Sequence, residues 1–396
     1  MTKKWIVLVL ALALCLGLLA CGDSNATNEV HKIGVIVYNL ADEEVVGFRE
    51  YLQGYMQKTF EIVEFVYSGS IRTQEEEMAF IQDACDQGVE GFLSFRTFDL
   101  KAEVELCEKN SAYYLLASGT VSDEEFDTVA DNPWFLGMFG PGIELEYQAG
   151  LYMAKFFARE HGAKTFFLLS GGAGSGNEMH YQRTLGMLNG LSTLSGVTFG
   201  KPAEELAASE TTVTVSTGPY TVTIVPGYMS QDESRAKAIN VYSSGTFDAV
   251  LAALNIGDFS AAIRGSELGM VDSYNARCSQ MFTAGKLHYL VGKYSSCVGP
   301  AFALMLNAVT GYAEDFRNGG KALRVTQVFW TSENYDDYVA KYTLATSATR
   351  NAYSFEDLSR VIRIYNPDAD LNELVALAEA CSFFAVEARR SIRPGI

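Results

Sequence analysis

Short apolar runs alternate with amphipathic segments along the first half of the chain. Each run has the length of a strand and is followed by apolar residues three or four positions apart, as on one face of a helix. The runs are KIGVIVY (32–38), EIVEFVY (61–67), VEGFLSF (89–95) and AYYLLAS (112–118). Because strands without polar alternation must be covered on both faces, this pattern predicts a parallel sheet between two layers of helices.

A second series of the same kind follows, with the runs KTFFLLS (164–170), YTVTIVP (220–226) and FDAVLAAL (247–254). Between the two series, FLGMFGPG (135–142) predicts a glycine-rich strand before a long helix, which suits a crossing from one half to the other. The polar, β-branched stretch AASETTVTVSTG (207–218) predicts a surface hairpin. The fold class is therefore α/β, with two doubly wound parallel-sheet lobes.

The two ends of the chain differ from this alternating region. After Thr343 the alternation stops, and 344–396 is predicted to be a C-terminal helical extension with one helix beginning near Asp370. At the other end, the apolar run 5–20 follows two lysines and is shorter than the roughly 20 residues of a membrane-spanning helix. It is typical of a secretory signal peptide, which we expect to comprise residues 1–20.

The signal ends in Leu18-Leu19-Ala20-Cys21, which resembles the bacterial lipoprotein box, in which cleavage before the cysteine leaves a thiol that carries lipid. We expect Cys21 to anchor the protein to the outer face of the bacterial cell membrane, with 21–31 as a tether. Several acyl chains on one residue hold a protein at a membrane far more firmly than a single chain does.

Composition excludes several partners. The formal net charge of −18 disfavours nucleic acid as a partner. The four histidines are scattered and no CxxC occurs, so no metal site and no cofactor are predicted. Cys278 and Cys297 flank the predicted strand KLHYLV (286–291), which places a disulfide between them within reach.

The order of these elements resembles that of the type I solute-binding proteins of bacterial ABC importers, in the ribose-binding-like branch. The landmarks are VIVYN (35–39), GVEGFLSF (88–95), QRTLGMLNGL (182–191) and FDAVLAALNIGDFSAA (247–262). The resemblance implies a three-stranded hinge between an N-terminal lobe (32–139 plus about 295–328) and a C-terminal lobe (140–294 plus about 329–343). It also implies that the lobes close over a small polar ligand, foremost a sugar, for delivery to an ABC permease.

Ligands of open α/β sheets bind outside the carboxyl ends of the strands. The candidate ligand-binding residues that follow strands are Tyr38, Asn39, Phe95, Arg96, Ser118, Asn177, Tyr228 and Asn255. The resemblance adds Arg183, Asp258, Lys293 and Tyr294, and it suggests that Tyr38, Phe95, Phe139 and Tyr228 stack on a sugar ring. On this view, replacing Arg183 by alanine weakens binding at least roughly tenfold and leaves the melting temperature of the empty protein nearly unchanged.

Other interpretations remain open at the level of sequence. Arg183 also suits a solvated helix face, Asp258 also suits a helix N-cap, and the aromatic residues also suit a core. Ser118-Gly119 stands where sugar-binding relatives carry Asp-Arg, so a purine nucleoside is an alternative ligand. A lipid-anchored sensor that presents its closed form to a receptor kinase would have the same cleft.

Enzyme classes fit less well. GGAGSGNE (171–178) is not followed by the Gly-Lys-Ser/Thr of a phosphate loop, and it misses Gly-x-Ser-x-Gly by one position. The sequence therefore predicts a binding protein and not an enzyme.

Overall fold

The computed structural model describes residues 29–346 and 352–391, so the predicted signal peptide and Cys21 lie outside the described residues. The strands are β1 (His31–Ile36), β2 (Val63–Tyr67), β3 (Val89–Ser94), β4 (Tyr113–Leu116), β5 (Phe135–Gly140), β6 (Thr165–Gly171), β7 (Val213–Thr217), β8 (Tyr220–Pro226), β9 (Ala249–Ala252), β10 (Glu267–Ser273), β11 (Tyr289–Lys293), β12 (Leu323–Thr326) and β13 (Trp330–Ser332).

Helices separate most of these strands. They are α1 (Glu43–Arg49), α2 (Gln57–Phe60), α3 (Gln74–Asp86), α4 (Leu100–Lys109), α5 (Asp123–Val129), α6 (Ile143–Arg159), α7 (Glu178–Ser195), α8 (Ala203–Ala207), α9 (Asp232–Ser243), α10 (Ala276–Thr283), α11 (Gly299–Asn307), α12 (Tyr335–Thr346), α13 (Phe355–Ser359), α14 (Leu371–Glu379) and α15 (Phe383–Ser391). A π-helical stretch, Glu50–Met56, joins α1 to α2.

The strands form two sheets, as the alternating pattern predicts. The first has the order β12-β5-β4-β3-β1-β2, and all its pairs are parallel. The second has the order β13-β11-β10-β9-β6-β8-β7, and only the two outermost strands are antiparallel. The predicted α/β class with two doubly wound lobes is confirmed.

The chain passes between the sheets at three places. It leaves the first sheet after β5, returns from β11 through the turn Ser295–Val298 into α11, and leaves again from β12 to β13. We call these the first, second and third crossings. The side-chain amide of Gln327 donates to the carbonyl of Cys297 at 2.7 Å, which joins the third crossing to the second.

The central strands are buried because their side chains are apolar on both faces. Residues 166–169 of β6 and 249–252 of β9 have no exposed surface. The stretch 207–218 does not form the predicted hairpin by itself: its only strand is β7, which pairs antiparallel with β8 through a turn at Gly218. As a result, the β-branched stretch becomes an edge strand of the second sheet.

The cysteines correct one expectation. Cys278 and Cys297 are both free thiols in the structure. The Cys278 thiol lies in α10 of the second lobe and donates to the Asp272 carboxylate at 3.5 Å, whereas Cys297 lies in the second crossing. Flanking the same strand therefore does not bring the two sulfurs together.

Beyond the second lobe, the chain continues in helices. The helix Leu371–Glu379 begins after Asp370, whose carboxylate accepts from the backbone N–H of Glu373. Within residues 29–346 and 352–391, no helix combines the length and apolar character needed to cross a membrane.

Candidate functional site

The strand order locates the cleft. In the first sheet β1 lies between β2 and β3, and in the second β6 lies between β8 and β9, so successive connections depart in opposite directions. A crevice opens at such a reversal, outside the carboxyl ends of the strands. The loops after β1 and β3 therefore face those after β6 and β9, and the site is built from these loops.

The first lobe contributes a hydroxyl and two carboxylates after β1. The Tyr38 hydroxyl donates to Glu44 at 3.3 Å, and Asp42 caps α1 by accepting from the backbone N–H of Glu44 at 2.9 Å. Burial, together with the neighbouring charge of Glu44, raises the pKa of Asp42 above its ordinary value. This end of the cleft is strongly acidic.

The loop after β3 contributes a guanidinium. One Arg96 nitrogen donates to the carbonyl of Ile71 at 2.9 Å, and the group lies 3.5 Å from the centre of the Phe98 ring. Its Nε has no hydrogen-bond partner among the described residues. Burial lowers the pKa of Arg96, and the nearby Glu77 carboxyl opposes that change. Arg96 is thus a cation whose position is fixed by these contacts and whose Nε is still able to donate a hydrogen bond.

The second lobe contributes a tight glycine turn after β6. A Cβ atom on Gly172 would lie 2.1 Å from the Tyr228 hydroxyl oxygen, so only glycine allows this ring to approach. Asn177 caps α7 by accepting from the backbone N–H of His180 at 3.0 Å, and its amide nitrogen lies 3.4 Å from the Tyr228 hydroxyl. The turn therefore holds Asn177 and Tyr228 side by side.

His180 is held in one tautomer. Its Nδ1 accepts from the backbone N–H of Gly172 at 3.0 Å, so the neutral ring carries its proton on Nε2. Burial, reinforced by the cations Arg183 and Lys293, lowers the pKa of His180 to about 3. The imidazole is neutral at physiological pH.

Asp272 lies near the carboxyl end of β10 and faces the acidic end of the first lobe. It accepts from the Asn255 amide at 2.9 Å, while the Asn255 oxygen accepts from the backbone N–H of Gly257 at 2.7 Å. Burial, followed by the charges of Asp42 and Glu44, raises the pKa of Asp272 to about 8. A carboxyl group in this environment carries a proton near neutral pH.

Lys293 joins the two walls. It ends β11 in the second lobe, and its ammonium donates to the carbonyl of Ser118 at 2.9 Å and lies 3.5 Å from Glu44, both in the first lobe. Its side chain is 11% exposed, so this ion pair is largely shielded from water. Lys293 therefore links the lobes at the hinge end of the cleft.

Arg183 has a partner that the sequence analysis did not consider. Its Nε donates to Glu146 at 2.5 Å, another nitrogen donates to the carbonyl of Ala253 at 2.8 Å, and Glu146 is fully buried. Removing Arg183 would leave an uncompensated buried carboxylate, which typically costs several kcal/mol. Contrary to the prediction from sequence, Arg183→Ala is therefore expected to lower the melting temperature of the empty protein.

Three other candidates lie in the protein interior. Phe139 has no exposed surface, Phe95 stacks on Phe48 at 4.4 Å, and Tyr294 stacks on Trp330 at 4.0 Å. Their rings pack against protein, which is the core interpretation that the sequence had left open.

Asp258 also has a different environment from the one expected. Its side chain is 76% exposed and pairs with Arg277 at 2.8 Å, and that interaction lowers the pKa of Asp258. The acid that is shielded in the cleft is Asp272. The side chain of Asn39 has a hydrogen-bond partner in its own loop, since its oxygen accepts from the backbone N–H of Ala41 at 3.1 Å.

Sequence analysis missed Asp42, Glu44, His180 and Asp272. The strand β10, near whose end Asp272 lies, was not identified either. The available signal for Asp272 was a carboxylate at the end of the apolar run ELGMVDS (267–273).

Two surface cavities of about 300 and 750 Å³ lie elsewhere on the second lobe. The smaller includes Glu267 and Leu268, at the start of β10 and hence at the wrong end of the sheet for a ligand of this fold. In the part of the chain that the structure describes, no group of three or more histidine, cysteine or acidic residues is arranged to hold a metal ion.

No protein family model and no curated protein matches this sequence. Solved structures do match. A protein of Mycobacterium smegmatis in complex with β-D-fucofuranose has a TM-score of 0.55 at 16% identity, over 80% of this chain and 98% of its own. An ABC transporter periplasmic solute-binding protein of Actinobacillus succinogenes with bound D-allose has a TM-score of 0.57 at 11% identity, over 78% and 99%.

A carbohydrate transporter protein of Acidothermus cellulolyticus in complex with myo-inositol has a TM-score of 0.56 at 17% identity, over 81% of this chain and all of its own, 100%. Several of the matching structures are binding proteins of ABC transporters with bound D-allose, myo-inositol or L-arabinofuranose. The similarity establishes the two-lobe fold of type I periplasmic binding proteins.

Proposed function

We propose that this chain is a lipid-anchored extracytoplasmic protein that captures a sugar by lobe closure and delivers it to an ABC importer. The observation that carries the proposal is the cleft lined by hydrogen-bonding groups of both lobes. Glu44 and Arg96 come from the first lobe, and Asn255, Asp272 and Lys293 come from the second.

The chemistry of these groups suits a polyhydroxylated ligand. Each sugar hydroxyl both donates and accepts, and the cleft offers the carboxyl groups of Glu44 and Asp272 together with the guanidinium of Arg96. The rings of Tyr38 and Tyr228 are partly exposed beside these polar groups and can pack on the apolar face of a sugar. The sugars and inositol bound by structural neighbours support the same class of ligand.

Isothermal titration calorimetry on the unlipidated mature chain tests ligand capture. The panel is D-allose, D-fucose, L-arabinose and myo-inositol, with adenosine representing purine nucleosides. We expect at least one sugar or inositol to bind with a defined stoichiometry. Binding of adenosine alone would show that the ligand is a purine nucleoside and not a sugar. Binding of none of the compounds in the panel would contradict the proposal.

Two aspartates provide a matched pair of variants for that titration. Asp272→Ala removes a shielded carboxyl of the cleft and is expected to weaken sugar binding about tenfold or more, because the ligand loses a buried hydrogen-bond partner. Asp258→Ala removes an exposed carboxyl on the same lobe and is expected to leave affinity within experimental error. Equal losses in the two variants would place the ligand elsewhere.

The membrane anchor is tested at Cys21, which lies outside the described residues. In bacterial cells supplied with a labelled fatty acid, the wild-type protein is expected to incorporate label and Cys21→Ser to incorporate none. A labelled Cys21→Ser protein would contradict lipid attachment at this residue.

Delivery to an importer is tested by sugar uptake in the native organism. Deleting the gene is expected to reduce uptake of the sugar identified by calorimetry. Unchanged uptake, with loss of a transcriptional response to that sugar, would instead support a sensor.

A further inference from the structure

The segment 352–391, here called the C-terminal segment, packs on the first lobe. The Tyr51 hydroxyl donates to the carbonyl of Tyr353 at 2.9 Å, next to the close approach of Gly299 and Tyr353. Farther along, the Asn307 side chain donates to the carbonyl of Val361 and accepts from the backbone N–H of Arg363, both at 2.8 Å. Asn307 is fully buried, so these bonds attach the segment firmly to α11.

The chain reaches this position from the other lobe. Helix α12, which precedes the segment, packs on the second lobe, where the Tyr338 hydroxyl donates to the carbonyl of Asn275 at 3.0 Å and the Tyr338 ring stacks on Phe282 at 4.3 Å. The described chain thus ends α12 on the second lobe and resumes at Ala352 beside the first lobe. Residues 352–391 then fold back toward the hinge.

The returning part of the segment contacts the crossings directly. The carbonyl of Cys381 accepts from the Tyr294 hydroxyl at 3.1 Å and from the Trp330 indole N–H at 2.9 Å. The Cys381 sulfur accepts from the backbone N–H of Val328 at 3.2 Å. Tyr294 begins the second crossing and Trp330 ends the third, so one residue of the segment binds both.

An aromatic contact extends this attachment to the second lobe. The Phe383 ring meets Trp330 edge to face with centroids 5.5 Å apart, and the ammonium of Lys341, on α12, lies 5.5 Å from the Phe383 ring centre. The two arms of the segment are themselves joined, since Arg390 donates to Asp357 at 2.8 Å. The segment thus forms a continuous connection from α11 to β13 and α12.

We propose that the C-terminal segment is an interlobe strap that stabilises the arrangement in which the cleft walls meet. It contacts the hinge through Tyr294, Val328 and Trp330. In one and the same conformation, the segment bonds to Tyr294 and Trp330, and Lys293 contacts Ser118 and Glu44 across the cleft. Opening rotates one lobe about the crossings and must strain or break these bonds.

The strap acts on the equilibrium between conformations and not on ligand contacts. A protein whose binding-competent form is only partly populated has its affinity reduced by that fraction. Loosening the strap therefore lowers affinity through the population of the closed form. The inference rests on the lobe motion of the proposed function but not on sugar as the ligand.

The test measures interlobe distance in the empty protein. Spin labels are placed at Arg72→Cys and Ser230→Cys, two exposed positions that follow β2 and β8 on opposite lobes, in a mature chain with Cys21→Ser and Cys85→Ala. Double electron–electron resonance then gives the distance distribution without any ligand. The outcome is thus independent of whether a sugar binds.

Two neighbouring phenylalanines give a matched comparison. Phe383→Ala removes the ring that meets Trp330, whereas Phe384→Ala removes a ring of the same size on the same helix that is 77% exposed. We expect Phe383→Ala to shift the distribution to longer distances and Phe384→Ala to leave it as in the wild type. Identical distributions in all three proteins would overturn the strap.

A second variant keeps the test decisive if Phe383→Ala does not fold. Tyr294→Phe deletes only the hydroxyl that donates to Cys381 and keeps the ring stacked on Trp330. We expect the same direction of shift, smaller than in Phe383→Ala. A shift to shorter distances in either variant would show that the segment favours the open form and would also overturn the proposal.

Discussion

The carboxyl of Asp272 is held in an environment that opposes its charge. Burial in the second lobe, followed by the charges of Asp42 and Glu44 in the first, raises its pKa to about 8. In the unfolded chain the same group titrates near 4. Because the folded protein retains this proton over a range in which the unfolded chain has lost it, Asp272 reduces the stability of the fold as pH rises from about 4 to about 8.

Replacing Asp272 by asparagine removes that titration and keeps the size and much of the hydrogen bonding of the side chain. We expect the empty Asp272→Asn protein to be more stable than the wild type at pH 7. The gain should be absent near pH 4 and grow by at most about 1.4 kcal/mol per pH unit before levelling off near pH 8.

Urea unfolding of both proteins at several pH values measures this difference. Asp258→Asn is the control, since that carboxyl is exposed and its pKa is lowered by Arg277. Its curve should show no gain with rising pH. A stability difference between Asp272→Asn and wild type that does not change with pH would contradict the assignment of a proton to Asp272.

At the residue scale, sequence reasoning located the loops but not all the side chains that matter. Rules for parallel sheets placed Tyr38, Arg96 and Asn255 after strands, because that position depends only on where a strand ends. The pairing of Arg183 with Glu146 depends on how two helices pack, which no local pattern records. The environment of Asp272 depends on the other lobe, and for that reason its raised pKa could not be read from neighbours in sequence.

The contact between α6 and α7 shows how two elements set the position of one side chain. A Cβ atom on Gly186 would lie 2.0 Å from the carbonyl oxygen of Tyr147, and one on Gly150 would lie 1.9 Å from that of Arg183. These two glycines let the helix backbones meet. The close approach places Glu146 of α6 beside Arg183 of α7.

Gly186→Ala therefore tests the contact between the helices. The added methyl group must push the backbones apart, and overpacking of this kind typically costs about 1–3 kcal/mol. Gly54→Ala is the control, because a Cβ atom there meets nothing within 4 Å and alanine restricts the unfolded chain. Differential scanning calorimetry should show a lower melting temperature for Gly186→Ala only. An unchanged value would contradict the packing.

At the element scale, the strands were predictable where the sequence contains a long run of mainly apolar residues. The runs at β1, β3, β6 and β9 are buried on both faces, and their length and composition suffice to identify them. β10 was missed because its apolar run is short: only residues 268–271 separate Glu267 from Asp272. The helix after Asp370 was predictable because its cap is local, whereas its docking against α11 and the hinge depends on long-range contacts.

The whole molecule consists of two similar sheets whose carboxyl edges face one another, joined by three crossings and by the C-terminal segment. A ligand that touches both lobes binds the closed form better than the open form, and only that difference in affinity can change the population of the two forms. Lys293 already joins the walls at the hinge end, where it is shielded from solvent. The remaining cleft is where a ligand would add contacts and complete the closure.

Small-angle X-ray scattering of the mature chain, with and without a saturating sugar from the calorimetric panel, tests closure most directly. The account predicts a smaller radius of gyration and a shorter maximum dimension in the presence of the sugar. It also predicts that Asp272→Ala requires at least about tenfold more sugar to reach the same compaction. Scattering curves that superimpose with and without a sugar shown by calorimetry to be bound would contradict capture by lobe closure.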